Sequence, residues 1–180
     1  ILPPLWDYIL SALWLLLVTN TLNMLDGLDG LAAGTTSIFS IILFILSLFV
    51  IVNQPVTALP SILLLGTMIG FLLWNWHPAK IFMGDAGSNM LGFIVGTLAI
   101  ISGAKLATVA LVLGFPLLDL MWAVWRRLKQ GRSPMSSDRE HLHHRLLDAG
   151  VPHKSVVLII LGASAVFGVV SLLSGTLAKI

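Results

Sequence analysis

The chain has 180 residues, 57% hydrophobic and 10% charged, with a net charge of +2 and no cysteine. A soluble domain carries about 25% charged residues, so this chain cannot cover a water-facing surface and a lipid bilayer must be its main solvent. The missing cysteine excludes a disulfide framework and any thiolate metal site, and nothing in the charge pattern calls for nucleic acid.

Six apolar runs are long enough, or nearly so, to cross a bilayer. They lie near residues 5–22, 31–52, 58–76, 88–101, 106–125 and 156–173. The fourth is short and glycine-rich, and the fifth contains Pro116, where a kink is expected. Backbone groups in lipid must be satisfied within the segment, so all six read as helices. The expected fold is an all-α polytopic transmembrane bundle. One integral membrane domain covers residues 1–180, with a polar loop at 126–154. The chain opens on Ile1, and no signal-peptide pattern precedes the first run.

Alternating the loops puts Lys80, Arg126, Arg127, Lys129, Arg132, Arg139, Arg145 and Lys154 on one side, against Lys105 and Lys179 on the other. Eight against two is a positive-inside signal and assigns the polar loops to the cytoplasm. Trp74, Trp76, Trp122 and Trp125 fall near the same boundary, as an aromatic belt would. Six of the eight acidic residues and all five histidines lie on or near that face, so any chemistry is expected there.

Three polar constellations follow in chain order. In the first, Asn20, Asn23, Asp26 and Asp29 step by three, with glycines at 27 and 30. A straight helix would send Asn20 and Asp29 to opposite faces; a glycine break could gather two amides and two carboxylates in one cavity. Amide and carboxylate oxygens suit a hard cation such as Mg²⁺. A plain solvated turn is the bland alternative, but amides at membrane depth are expensive and usually functional.

In the second, Gly84-Asp85-Ala-Gly87-Ser88 precedes a span. Ser88 is expected to cap that helix. Asp85 could hold a cation that in turn holds phosphate, and Lys80 favours phosphate nearby, although positive-inside bias also explains a lone lysine.

In the third, Ser137 and Glu140 match a capping box and Gly150 and Pro152 are stop signals, which predicts a short amphipathic helix over about 138–149. On it His141, His144, Arg145 and Asp148 form a polar face, Leu142, Leu146 and Ala149 an apolar one, and His143 lies off the polar face. Histidines among arginines suit a diphosphate better than a zinc ion, since the H-E-x-x-H spacing is absent. A basic loop on anionic lipid would explain the arginines but not the histidines. Asp119, inside the fifth run, reads as a buried structural partner of an arginine or of a polar group on another helix.

Together, Asn20-x-x-Asn23-x-x-Asp26-Gly-Leu-Asp29-Gly-Leu-Ala, Phe82-Met-Gly-Asp85-Ala-Gly-Ser and Asp138-Arg-Glu-His141-Leu-His143-His144-Arg resemble the bacterial polyprenyl-phosphate N-acetylhexosamine-1-phosphate transferases. The last motif resembles the UDP-N-acetylglucosamine branch. The branch making the muramoyl-pentapeptide lipid has a different histidine motif and ranks lower. The resemblance implies transfer of N-acetylglucosamine-1-phosphate from a UDP-N-acetylhexosamine to undecaprenyl phosphate, releasing UMP. It implies a multi-pass protein of the bacterial inner membrane with its active site facing the cytoplasm, and allows for a homodimer. It assigns Mg²⁺, with Mn²⁺ as a substitute, to Asn23 and Asp85. It gives catalytic roles to Asp26, Asp29, His141 and His143, and substrate binding to Asn20, Lys80, His144 and Arg145. The family also has an aspartate pair on an earlier segment and about twice as many spans, whereas this chain has no Asp-Asp. The expectation is an N-terminally truncated sequence, inactive if these residues were the whole protein. A transporter and an intramembrane aspartyl protease are the rival classes. The first would spread its polar groups through the bilayer, and the second would place aspartates within facing spans.

Overall fold

The computed structural model describes residues 4–48, 55–102, 106–131, 133 and 141–177. The end of the second expected span (49–52), Lys105, Arg132, the Ser137/Glu140 capping box, Asp138, Arg139 and Lys179 lie outside the described residues.

Among the described residues all regular structure is helical. The helices are α1 (Pro4–Leu25), α2 (Leu31–Leu48), α3 (Pro55–Asn75), α4 (Gly84–Ile101), α5 (Leu106–Val112), α6 (Gly114–Lys129), α7 (Leu142–Asp148) and α8 (His153–Leu177). Five of them, α1, α2, α3, α4 and α8, are long and apolar enough to cross a membrane. Their outward faces carry bare Leu59, Leu63, Leu73, Val166 and Leu173, a surface suited to an apolar environment rather than to water. The chain is an integral membrane protein.

The fifth expected span is corrected. The run 106–125 is not one helix but the α5–α6 pair, broken at Leu113. The break lies three residues before Pro116, which then occupies the first turn of α6, where its missing N–H costs nothing. Hydrogen bonds Leu113 N–H to Val109 O (2.8 Å) and Leu117 N–H to Leu113 O (2.7 Å) carry the chain through the bend.

Helix α2 is the central element and is buried along most of its length. It packs on α3 and α8, while α1 packs on α4. The α1–α4 contact is backbone-close. A Cβ on Gly92 would sit 2.4 Å from Thr19 Cα, and Trp14 Nε1 donates across the same seam to Gly96 O at 3.2 Å. Without a hydrophobic force between helices in lipid, small residues of this kind set the approach. The seam fixes the polar ends of α1 and α4 beside each other.

Two connections at that end are pinned together by Asn75, which is 4% exposed. Its Oδ1 accepts from Gly30 N–H (3.0 Å) and its Nδ2 donates to Ile81 O (3.0 Å). Gly30 has φ +79° against the Trp76 ring, a conformation strained for any L-residue.

Candidate active site

The polar ends of α1, α4 and α6 and the short α7 converge at one end of the bundle. Helix α1 runs unbroken to Leu25, so Asn20 and Asn23 sit on its last turns while Asp26 and Asp29 belong to the turn that follows. The helix thus ends just before Gly27, after both amides. Asn20 Nδ2 donates to Leu16 O of its own helix at 2.7 Å. Asn23 Nδ2 reaches across the seam to Asp85 Oδ1 (3.3 Å) and Ser88 Oγ (2.9 Å).

Helix α4 begins at Gly84 rather than Ser88, with Met83 as an N-cap that makes no side-chain bond. Ser88 is thus not the cap. It lies one turn inside, donating to Gly84 O (3.1 Å) while accepting from Asn23. The earlier start follows from the Gly84 turn and places Asp85 in the first turn, where the helix dipole favours a carboxylate. Burial pushes the Asp26 carboxyl up from its ordinary value, and the neighbouring Asp85 pushes it further, against a lowering hydrogen bond from Gly84 N–H. Two neighbouring carboxylates, a hydroxyl and the oxygen of an amide are donors of the kind a hard divalent cation takes. With the Asn23 amide turned so that its oxygen faces Asp85, these residues fit Mg²⁺.

Beside this cluster opens a cavity of about 810 Å³. Its polar end is formed by Asn20, Asn23, Arg127, His141, His143 and His144, and its wall by apolar residues of α1 and α6 such as Leu16, Leu17, Met121 and Trp125. Arg127 is 7% exposed, a buried cation that the sequence does not single out among the basic residues of 126–154.

Helix α7 departs from expectation twice. It starts at Leu142, because His141 is extended (φ −65°, ψ 148°) and serves as N-cap. Asp119 takes the capping role: its carboxylate accepts from Leu142 N–H (3.1 and 3.2 Å) and lies 3.0 Å from His141 Nδ1. Asp119 is therefore a structural partner, of a histidine and a helix start. Second, the inward residue is His143, 3% exposed, while Arg145 and Asp148 point out and Ala149 is exposed. The later start rotates the face, and Leu146 packs against the core. His143 stacks on His141 (centroids 5.8 Å) and meets the His144 ring at a tilt (4.3 Å). Burial, with the adjacent His144 and His141, drives its pKa down to about 4 against the opposing pull of Asp119. His143 is therefore neutral near pH 7, and Arg127 supplies positive charge inside the cavity.

The structure brings Asn20, Asn23, His141, His143 and His144 to the cavity, with Asp85 joined to it through Asn23 and Asp26 beside Asp85. Asp29, Lys80 and Arg145 do not line it. Asp29 turns to the α3–α4 connection, accepting from Ala79 N–H (3.1 Å) and pairing with His77 Nδ1 (2.8 Å). Burial raises its pKa, but these two bonds and the neighbouring His153 and His77 outweigh it, so the carboxyl titrates below its ordinary value. Lys80 lies over the Trp74 ring at 5.3 Å. Nothing in local spacing links Asp29, His77 and His153, and only the turn pinned by Asn75 does so.

This geometry defines a membrane protein with a polar, cation-suited site at the mouth of an apolar cavity. The model of glycosyl transferase family 4 matches residues 1–103, and the chain belongs to that family. It is 36% identical over 169 residues to the probable undecaprenyl-phosphate N-acetylglucosaminyl 1-phosphate transferase of Bacillus subtilis, covering 90% of this chain and 46% of that protein. The decaprenyl-phosphate N-acetylglucosaminephosphotransferase of Mycobacterium leprae is 36% identical, covering 79% and 42%. The phospho-N-acetylmuramoyl-pentapeptide-transferase of Moorella thermoacetica is 38% identical, covering 85% and 48%. The chain spans about half the length of the curated relatives it matches.

Proposed function

We propose that this chain forms the donor side of a polyprenyl-phosphate N-acetylglucosamine-1-phosphate transferase of the bacterial inner membrane, with its polar end facing the cytoplasm. The observation that carries the reading is the joining of two chemistries in one place. An apolar trough between α1 and α6 ends at Asn20, Asn23, Arg127 and the histidines, beside the oxygen cluster at Asp85. A substrate with a lipid tail and a phosphate head fits the trough, and a nucleotide sugar can arrive from water at the same end.

In the proposed reaction an oxygen of undecaprenyl phosphate attacks the sugar-bearing phosphorus of UDP-N-acetylglucosamine. The bond from that phosphorus to the bridging oxygen breaks, and UMP leaves with the electron pair. Asn23 and Asp85, with Asp26 close by, would hold Mg²⁺ (or Mn²⁺), which supplies charge neutralisation on the diphosphate. Arg127 adds a fixed positive charge in a low-dielectric pocket. Neutral His143 offers a hydrogen-bonding nitrogen rather than charge, and His144 stands beside it at the cavity wall. His141, fixed by Asp119, orients the same wall. Asp29 then supports the pocket through the turn, not by touching substrate.

The rival classes fit less well. A transporter would distribute polar groups through the span, whereas here they gather at one end. An aspartyl protease needs aspartates within facing helices, but Asp26 lies in a turn.

The test uses the full-length protein in membranes with labelled UDP-N-acetylglucosamine, undecaprenyl phosphate and Mg²⁺. Label is expected in the lipid phase and lost in Asp85→Asn. Lipid labelling that persists in EDTA would refute the metal assignment. Labelling only from the UDP-muramoyl-pentapeptide donor would move the protein to the other branch.

A further inference from the structure

A second constellation lies outside the cavity. Asp29 stands in the α1–α2 turn, His77 in the α3–α4 connection, and His153 opens α8. One ligand-capable atom from each lies within 4.8 Å of the other two. His77 Nδ1 is 2.8 Å from Asp29 Oδ2. The His77 and His153 rings stack with centroids 4.1 Å apart and planes 20° apart. Nδ1 of His153 is buried with no hydrogen-bond partner among the described residues.

We propose that Asp29, His77 and His153 bind a first-row transition cation of the zinc class, at a site separate from the oxygen cluster of Asn23 and Asp85. Two imidazoles and one carboxylate form a donor set that suits Zn²⁺ or Co²⁺, whereas Mg²⁺ prefers oxygen alone. Two imidazoles stacked this closely repel if both are protonated, so the favoured state has neutral rings with lone pairs, the state that ligates. A buried ring nitrogen left unpaired is costly, and a cation would satisfy it. Asp29 contributes the negative charge, and both of its hydrogen bonds among the described residues fall on Oδ2, leaving Oδ1 for the ion. The His77 side chain is 37% exposed and that of Asp29 21%, so one face is open for entry and for a fourth ligand from solvent. Bound there, the cation ties the start of α8 to the turn that carries Asp26 and to the connection that leads into the α4 turn of Asp85. The site does not depend on the transferase reading.

The experiment uses full-length protein in detergent, with any affinity tag cleaved, stripped of metal and returned to excess Mg²⁺. Co²⁺ is titrated in and followed by its visible ligand-field bands, then displaced with Zn²⁺. Wild type and Asp85→Asn are expected to bind about one equivalent, as a three-ligand site would. His77→Gln and His153→Gln should bind at least about tenfold more weakly. Zn²⁺ should raise the melting temperature of wild type and not of these variants. If a glutamine variant fails to fold, the isosteric Asp29→Asn carries the same test. No bands in wild type would mean that the cluster holds water only. Bands that survive both histidine changes and vanish in His143→Gln would put the ion in the cavity. Either result overturns the proposal.

Discussion

At the scale of single residues, His143 shows how burial changes a reading. Its sequence neighbourhood is basic, which suggests an imidazolium gripping an anion. Its buried position against Gly27, His141 and His144 makes the neutral ring the stable form. The folded pKa of about 4 lies below the unfolded value of 6.5, so the unfolded chain takes up the extra proton first. Stability is full above pH 6.5 and is lost as pH falls toward 4. The slope from this group approaches one proton, at most about 1.4 kcal/mol per pH unit. Melting temperatures measured across that window should fall less steeply in His143→Gln than in wild type; equal slopes would show that His143 is not the group responsible. Asp85 carries the catalytic prediction at this scale, because its partner Asn23 comes from a helix 62 residues away in sequence and the two meet at the polar mouth of the cavity.

At the scale of elements, the seam between α1 and α4 decides whether the site exists. Asn23 meets Asp85 and Ser88 only because Gly92 lets the α4 backbone lie against Thr19. A methyl group at Gly92 would press on backbone rather than on a side chain that can swing away. Gly92→Ala is expected to destabilise the protein by about 1–3 kcal/mol and to weaken activity beyond what the stability loss explains, since it spreads the proposed ligands. Thermal unfolding and transfer assays below the melting point would separate the two effects. Helix α7 teaches a related lesson. The helix start at Leu142 is met by the carboxylate of Asp119 from α6, with His141 as N-cap. Such a cap is supplied across tertiary space and leaves no trace in local spacing.

At the scale of the whole molecule, the orientation proposed from eight cations against two is directly testable because the chain has no native cysteine. Single cysteines can be placed at Gln130, past the end of α6, and at exposed Val56, at the opposite end of the bundle. In intact cells a membrane-impermeant maleimide should label Val56→Cys and spare Gln130→Cys until the membrane is opened. The reverse pattern would turn the site away from the cytoplasm.

The amino-acid sequence by itself determined the solvent, the helical class, the rough position of each long apolar run and the three polar stretches. These follow from composition and from the requirement that backbone in lipid satisfy itself, both local properties. It also brought Asn23 forward because amides at membrane depth are conspicuous, Asp85 through the glycine turn before a span, and the histidines through their clustering among arginines in the polar loop. Only the tertiary structure decided which candidates meet. It turned Asp29 toward His77 and His153, drew Arg127 into the cavity, made Asp119 a cap and split the 106–125 run at Leu113. Each of these depends on which helix faces touch and how closely, and that is set by small-residue seams and pinned turns between segments far apart in the chain.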